Sequence, residues 1–421
     1  MRDYCYTDAD DETVLLSVIV PAYNEEKTIC KTVDSILDRS DFSYEIIVVD
    51  DGSTDKTSLN MISMFRLRHK GFIKLRDLRK RSRVVGVWET IRNNVKLYYI
   101  EKEKGGKSDA LNIGIILCHG RYFMCIDADS LLADKTLDIF GDIIKKHRNI
   151  AALGGRVMPK YAFSKSISQK SWNWEHVLLD YQTLEYGIAF HIARPIFDIT
   201  DTTMLISGAI GAFDRDLVLY LGGYAQDTVA EDMELVMRIR RYAAMHHKNI
   251  RIGYLKKAIS YTDLPWKLRD LINQRIRWAE GLSEVLREYR EVATEKYYTC
   301  AEKAAFWYYV LFERFSPHIE LAMLIICFVF KFTIGTSLVL IATLLFQCAL
   351  SIAGSFKPII ASVKRSNNKG NTILKIVVLL MSFVTVYHLF SMVIRLIAVP
   401  LYHIKHRSEK GNVSWTSPER R

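Results

Sequence analysis

The sequence predicts an α/β fold built on a parallel sheet, followed by C-terminal transmembrane or interfacial helices. Three observations carry this. Residues 14 to about 300 alternate short β-branched runs with helical patterns, the mark of parallel strands joined by crossover helices. Three of those runs end in polar, mostly acidic clusters. After about residue 305 the apolar residues concentrate, and Phe332–Phe356 and Ile376–Ile394 carry no formal charge. Runs of that length can cross a hydrocarbon layer of roughly 30 Å as helices. The division expected is a cytoplasmic α/β domain over 1–300 and a membrane domain over 301–421.

Taken in order, Leu16–Pro21 (LSVIVP) reads as a buried strand, after which Asn24 is expected to cap a helix with Glu25 and Glu26 in its first turn. Glu45–Val49 is the second strand and ends in Asp50-Asp51-Gly52-Ser53-Thr54-Asp55. Lys96–Ile100 is the third, followed by Gly105-Gly106-Lys107 and a helix through Leu117. Arg121–Ile126 is the fourth and ends in Asp127-Ala128-Asp129. In open α/β sheets ligands bind outside the carboxyl ends of the strands, so these loops predict one shared site.

The chain has 58 Lys and Arg against 47 Asp and Glu, a formal net charge of +11. Nine Lys and Arg against one Asp fall between Arg66 and Arg83. Nucleic acid is a poor partner for this run, because no stacking aromatics are interleaved beyond Phe72. A basic loop lying on anionic lipid headgroups is the better reading, with a solvated loop as the plain alternative. Seven cysteines, odd in number and without a CxxC pair, speak against a zinc site or a disulfide framework. The first apolar stretch follows Asp8, Asp10, Asp11 and Glu12, unlike an export signal, so the first 300 residues are expected in the cytoplasm.

In the membrane part, Phe306–Phe315 reads as an interfacial helix. Three segments follow, 319–335, 337–356 and 376–400, of which one is expected to be interfacial or re-entrant. The loop 357–375 carries Lys357, Lys364, Arg365, Lys369 and Lys375 with no acidic residue, which places it on the cytoplasmic side.

Asp127 and Asp129, one residue apart beyond a buried strand, can share a divalent cation. Mg²⁺ or Mn²⁺ favours a few carboxylates plus substrate phosphates over a full protein cage. Alone the pair is a common solvated turn; its context adds VIVPAYNE at Val18–Glu25, DDGSTD at Asp50–Asp55, Glu231-Asp232 and QRIRW at Gln274–Trp278. In this order and spacing, the motifs resemble the family-two glycosyltransferases of GT-A fold, a resemblance that implies an α/β domain with a mixed, mostly parallel sheet. More narrowly they resemble the processive membrane synthases of β-linked glycans: poly-β-1,6-N-acetylglucosamine, hyaluronan, chitin and cellulose synthases.

The resemblance implies roles. Pro21, Ala22, Tyr23 and Glu25 line the nucleotide pocket, with Tyr23 beside the uracil, while Asp50 and Asp51 take the uracil imide and the ribose in an order left open. Lys107 sits near the donor phosphates, or else caps an exposed helix. Asp127 and Asp129 hold the metal and the diphosphate. Asp232 is the catalytic base that removes the acceptor hydroxyl's proton as the oxygen attacks the anomeric carbon from behind. The motif is usually Thr-Glu-Asp, and here its first position is Ala230. Glu231, Gln274 and Trp278 serve the acceptor, Trp278 by its flat apolar face, and Arg277 grips the diphosphate. Ser207-Gly208-Ala209 precedes a predicted acceptor-side helix. The tail Trp415–Arg420 resembles that of poly-β-1,6-N-acetylglucosamine synthases.

The implied function is an inverting, membrane-bound transfer from a UDP-sugar, first of all UDP-N-acetylglucosamine, to a growing β-linked exopolysaccharide of the kind found in biofilms. The implied partners are the UDP-sugar, the glycan acceptor and the bilayer, with a partner subunit or homo-oligomer to complete a translocation channel. The implied location is the inner membrane, multi-pass. Three other classes fit the residues less well. QRIRW argues against a single-sugar transferase acting on a lipid carrier, and a non-catalytic nucleotide-binding regulator would need no base. A nucleic-acid binder would leave the acidic strand ends without a purpose.

Overall fold

The computed structural model describes residues 14–37, 40, 42–71, 82–161, 174–329 and 369–408, with single positions between 345 and 359. The core of the basic run (72–81), most of the segments and loop between 330 and 368, and the tail with Trp415 lie outside the described residues. The chain forms two compact units. The first comprises Met1–Gly155, Ser207–Gln226 and Lys257–Ser260; the second comprises Arg156–Ile206, Asp227–Lys256 and Tyr261–Arg421. This is a division by compactness, whereas the expected boundary at residue 300 is one of environment.

Most of a ten-stranded sheet lies in the first unit. The strands of the sheet are β1 (Leu16–Ala22), β2 (Tyr44–Asp50), β3 (Arg68–Gly71), β4 (Val84–Arg92), β5 (Val95–Lys102), β6 (Tyr122–Cys125), β7 (Leu131–Leu132), β8 (Ile150–Pro159), β9 (Gly211–Asp214) and β10 (Arg251–Thr262). The order is β3-β4-β5-β2-β1-β6-β9-β8-β10-β7. The centre, β5-β2-β1-β6, is parallel, and β3-β4-β5 and β6-β9-β8 run antiparallel. The sheet is therefore mixed as expected, its parallel part being the four strands the sequence marks out. Every residue of β1 and β2 is buried, which is why Val18–Val20 and Ile46–Val49 read as continuous apolar stretches rather than alternating ones, while the buried Ser17 hydroxyl donates to Glu45.

Helix α1 (Ile29–Ile36) follows β1, α2 (Thr57–Phe65) follows β2, α3 (Lys107–Leu117) follows β5, and α4 (Thr136–Lys146) follows β7. The expected cap at Asn24 is corrected: α1 starts five residues later, behind Thr28. Asn24 adopts a left-handed conformation (φ 53°), and its side-chain oxygen accepts from the Thr54 N–H at 2.8 Å. It is spent on tying two loops together.

The second unit is helical. Helix α5 (Trp174–Ile188) runs through a π turn, Ala189–Ala193, into α6 (Arg194–Ile199). After α7 (Arg215–Tyr220, in the first unit) come α8 (Glu231–Met245), α9 (Leu268–Glu288), α10 (Cys300–Tyr308), α11 (Ser316–Val329), α12 (Lys369–Ser382) and α13 (His388–Ser408). One core gathers Met204, Met233, Met237, Leu286, Tyr289 and Phe306; another joins Leu178, Tyr181, Leu184 and Leu271 to Ile376, Leu379 and Tyr387. The expected interfacial segment is helical through α10 and the π turn Tyr309–Arg314, burying Phe306 and Tyr309 while exposing Trp307, Leu311 and Phe312. Among the described residues, one helix, Thr372–Ala398, is long and apolar enough to cross a membrane. Its outer face leaves Leu374, Val377, Val378 and Met381 exposed.

Candidate active site

The parallel order reverses between β1 and β6. From β1 the sheet extends through β2 and β5 on one side and to β6 on the other, so the carboxyl ends of all four share one edge. Brought to that edge in the first unit are Pro21, Ala22, Tyr23, Asp50, Asp51, Lys107, Asp127 and Asp129.

The loops after β1 and β2 are knitted into one structure. The Asp51 N–H donates to the Ala22 carbonyl at 2.8 Å, and the Asn24 N–H donates to Ser53 Oγ at 2.9 Å. Asp50, nearly fully buried, accepts from the Ser53 N–H and hydroxyl through one oxygen and from the Tyr99 hydroxyl through the other. Burial pushes the Asp50 carboxyl above the ordinary aspartate value, against the lowering pull of those hydrogen bonds. Glu25 is also buried; it accepts from the Thr28 hydroxyl at 2.7 Å, and its N–H donates to Thr57 Oγ1. Its carboxylate thus steadies the entry to α1.

Asp51 makes a closed clamp. One of its oxygens meets the Lys102 ammonium and the Gly105 N–H, and the other accepts from the Gly106 N–H at 2.9 Å. Lys102 also bridges Asp109 at 3.0 Å, Ser82 donates to Asp109, and the side chains of Lys102, Asp51 and Asp109 are fully buried. Gly106 reaches this geometry at φ 99°, a conformation costly for any side chain. The residue expected to contact uracil or ribose therefore directs both oxygens inward, to the loop that presents Lys104 and Lys107.

Those two lysines point at the remaining site residues. Lys104 lies 4.0 Å from the centre of the Tyr23 ring and donates to its hydroxyl at 2.8 Å. Lys107, the first residue of α3, pairs with Asp127 at 2.8 Å, both side chains partly exposed. Its partner is Asp127, the first carboxylate of the acidic pair. Asp129 is buried, and the turn between the two carboxylates is held by α1, whose Thr32 hydroxyl donates to the Ala128 carbonyl at 2.8 Å. Among the described residues no three His, Cys, Asp or Glu side chains gather where a metal could be held. The donor set that fits a divalent cation is two carboxylates, leaving the other positions for phosphate oxygens.

Ser207 and Gly208 lie in a turn whose Ser207 carbonyl accepts from the Ile210 N–H at 3.1 Å. The element that follows is strand β9, not the predicted helix; Gly211–Asp214 pairs with β6, and its first three residues are buried. A small-residue turn precedes either element, and the local pattern does not separate them.

In the second unit, Glu231 and Asp232 are the first two residues of α8, both half-buried, with Asp232 accepting from the Met233 N–H at 2.8 Å. Glu234 is engaged by Arg238 at 2.6 Å and by the Tyr289 hydroxyl at 2.8 Å. Helix α9 braces this helix start: Glu284 accepts from the Thr228 hydroxyl at 2.8 Å, and a β-carbon at Gly281 would fall 2.5 Å from the Ala230 β-carbon. That close approach accounts for the small residue at the departing motif position. Gly281→Val is expected to cost about 1–3 kcal/mol through overpacking, read as a lowered melting temperature, and to displace the turn that carries Asp232, read as lost turnover. A variant as stable and active as the parent would show that the brace is dispensable.

QRIRW lies within α9. Gln274 is half-buried, Arg277 is exposed, and Trp278 keeps 45% of its surface exposed. Arg275 is buried, pairs with Glu185 at 2.5 Å, and places its guanidinium 4.3 Å from the centre of the Trp278 ring. Reading the sequence missed Lys102, Asp109, Tyr99, Lys104, Glu185, Arg275 and Gly281. A signal existed for Lys102, which shares strand parity with buried Ile100 two residues past the expected strand end.

Residues 122–404 match the model of glycosyl transferase family group 2, and residues 17–207 match that of glycosyl transferase family 2. The poly-beta-1,6-N-acetyl-D-glucosamine synthase of Staphylococcus epidermidis is 23% identical over 413 residues, covering 96% of this chain and 87% of the relative. That of Staphylococcus aureus (strain N315) is 26% identical over 276 residues, covering 66% and 56%. Among solved structures, the mannosyltransferase PcManGT from Pyrobaculum calidifontis, in complex with GDP-Man and Mn²⁺, superposes with a TM-score of 0.52 at 18% identity, over 95% of this chain and 91% of that one. The α/β fold is the GT-A-like fold that the motifs led us to expect.

Proposed function

Because the chain belongs to glycosyl transferase family group 2 and is a glycosyltransferase, we propose that it extends a β-linked exopolysaccharide from a UDP-sugar, with UDP-N-acetylglucosamine as donor. The observation that supports this most is the Lys107–Asp127 pair beside Asp129, at the carboxyl edge of the parallel strands. The choice of sugar and polymer rests on the similarity to the staphylococcal synthases.

In this reading Pro21, Ala22 and Tyr23 line the nucleotide site, with Glu25 setting the loop behind them. Asp50 receives the base or ribose, and Asp51 acts through the loop it clamps. Lys107 offers its ammonium to the donor phosphates, with Arg277 adding a second cation. Asp127 and Asp129 would hold Mg²⁺ or Mn²⁺, whose charge offsets that of the departing diphosphate when bound. Asp232 takes the proton from the acceptor hydroxyl as that oxygen displaces UDP from the anomeric carbon, inverting it. Ser207, Gly208, Glu231, Gln274 and Trp278 hold the acceptor. The helix Thr372–Ala398 anchors the chain in the bilayer, α10 lies at the interface, and residues 1–300 face the cytoplasm. A partner subunit or second copy completes the path for the polymer.

The test is UDP release by membranes carrying the full chain, with a panel of UDP-sugars and with Mg²⁺, Mn²⁺ or EDTA. Turnover is expected with UDP-N-acetylglucosamine, abolished by EDTA and restored by either ion, with a lengthening glycan as product. A product one sugar long would instead mark a single-sugar transferase, and turnover untouched by EDTA would remove the metal.

Nucleotide affinity should also depend on pH through Asp50. Its folded pKa is raised, so the stability it contributes is full below the unfolded value of about 3.9 and is lost as pH rises through the folded value. Binding runs the other way, since an imide N–H or ribose hydroxyl needs an ionised acceptor. UDP affinity is expected to fall as pH drops through a midpoint above that of an ordinary aspartate, and Asp50→Asn should abolish the step. Calorimetric titration of both proteins between about pH 7 and pH 4 decides it; identical pH profiles would remove Asp50 from the pocket.

A further inference from the structure

Arg275 occupies a position of QRIRW that the signature leaves open, yet it is the buried arginine of the pair, whereas the signature Arg277 is exposed. Burying a guanidinium is costly unless a carboxylate neutralises it. Glu185, on α5, supplies that carboxylate: its Oε2 accepts from Arg275 Nη2 at 2.5 Å and from the Tyr387 hydroxyl at 3.0 Å. Tyr387 closes the π turn Phe383–Tyr387 within the candidate membrane span, and its ring packs on Tyr181, with centroids 5.1 Å apart. A π turn holds one residue more than an α turn and so rotates the following face by about 100°. On the other side, Arg275 precedes Trp278 by three residues on the same helix, the spacing at which side chains meet, and its planar cation covers the indole.

We infer that Glu185 and Arg275 are positioning residues that hold Trp278 for the acceptor glycan and tie its orientation, through Tyr387, to the membrane span. This rests on the reading of Trp278 as the acceptor platform. It adds that the platform is set from beneath by a charge pair and a tyrosine hydroxyl, none of them a signature residue. Neither Glu185 nor Tyr387 needs to touch donor or acceptor, so their loss should appear in acceptor binding and leave donor binding unchanged.

The experiment uses the full chain in membranes, with short β-linked N-acetylglucosamine oligomers as acceptor. It compares Glu185→Gln, Tyr387→Phe and Trp278→Ala, alone and in pairs. Glu185→Gln is expected to raise the acceptor KM about tenfold with donor KM unchanged; Tyr387→Phe should do the same more weakly. In the Trp278→Ala background neither should raise it further, because the platform they position is gone. Tyr387→Phe keeps the ion pair intact, so the test stands even if Glu185→Gln fails to fold. An unchanged acceptor KM in Tyr387→Phe and Glu185→Gln, equal increments with and without Trp278, or losses that track donor KM or melting temperature would each overturn the inference. Wild-type membranes that turn over no UDP-sugar would remove the functional reading and this inference together. Normal wild-type turnover with unaffected variants removes the inference alone.

Discussion

Replacing Asp232 by Asn is expected to lower kcat by about 10²–10⁴-fold, the usual contribution of a positioned general base, while UDP binding and the melting temperature stay near those of the parent. Asparagine keeps the size of the side chain and an oxygen to accept from the Met233 N–H, which Asp232 does at 2.8 Å. What it loses is the capacity to take a proton. The acceptor hydroxyl would then attack without shedding its proton, raising the barrier of the chemical step alone. Turnover is read as UDP release and binding by calorimetry on the same preparation. A variant within tenfold of wild type would move the base elsewhere, with adjacent Glu231 as the next residue to replace. A variant that also loses UDP binding would mean the substitution acts on the fold.

Lys102→Met should have the largest effect on stability. Lys102 stands between Asp51 and Asp109 in a fully buried cluster. Removing the cation from a buried charge network leaves carboxylates uncompensated, at a cost of about 3–5 kcal/mol. The Asp51 oxygens also accept from the Gly105 and Gly106 N–H groups, so the loop leading to Lys107 should loosen and UDP binding should fall with stability. Lys107→Met provides the contrast, since Lys107 and Asp127 are partly exposed; stability should change little, while turnover drops because the cation proposed to face the phosphates is gone. Chemical denaturation and UDP titration of the two variants separate them. Equal stability in both would show that the buried clamp does not organise the site.

How much of this was legible beforehand depends on whether the information is local. Four strands, the start of α3 at Lys107 and the acidic strand ends were all readable. A strand buried on both faces needs an unbroken apolar run, and its polar stop is a local event. The flanking antiparallel strands were not readable: β3 and β4 are short or half-exposed, with no clear alternation. Asn24 was misread because a cap and a loop tether use the same side-chain oxygen, and the partner that decides between them, Thr54, is thirty residues away. For the same reason Ser207–Ala209 was placed before a helix. A small-residue turn carries no information about whether the next residues find a sheet edge, and Gly211–Asp214 finds β6.

By itself the sequence determined the reaction class and the α/β fold, and it marked out the carboxylates and cations proposed for the site, because those depend on residue type and spacing along the chain. Only the tertiary structure decided what each charge does. It turned Asp51 inward onto Lys102, set Lys107 on Asp127, and buried Arg275 on Glu185 while leaving Arg277 outside. A charge's role follows from its solvent and its partners, and both are fixed by contacts between residues distant in the chain.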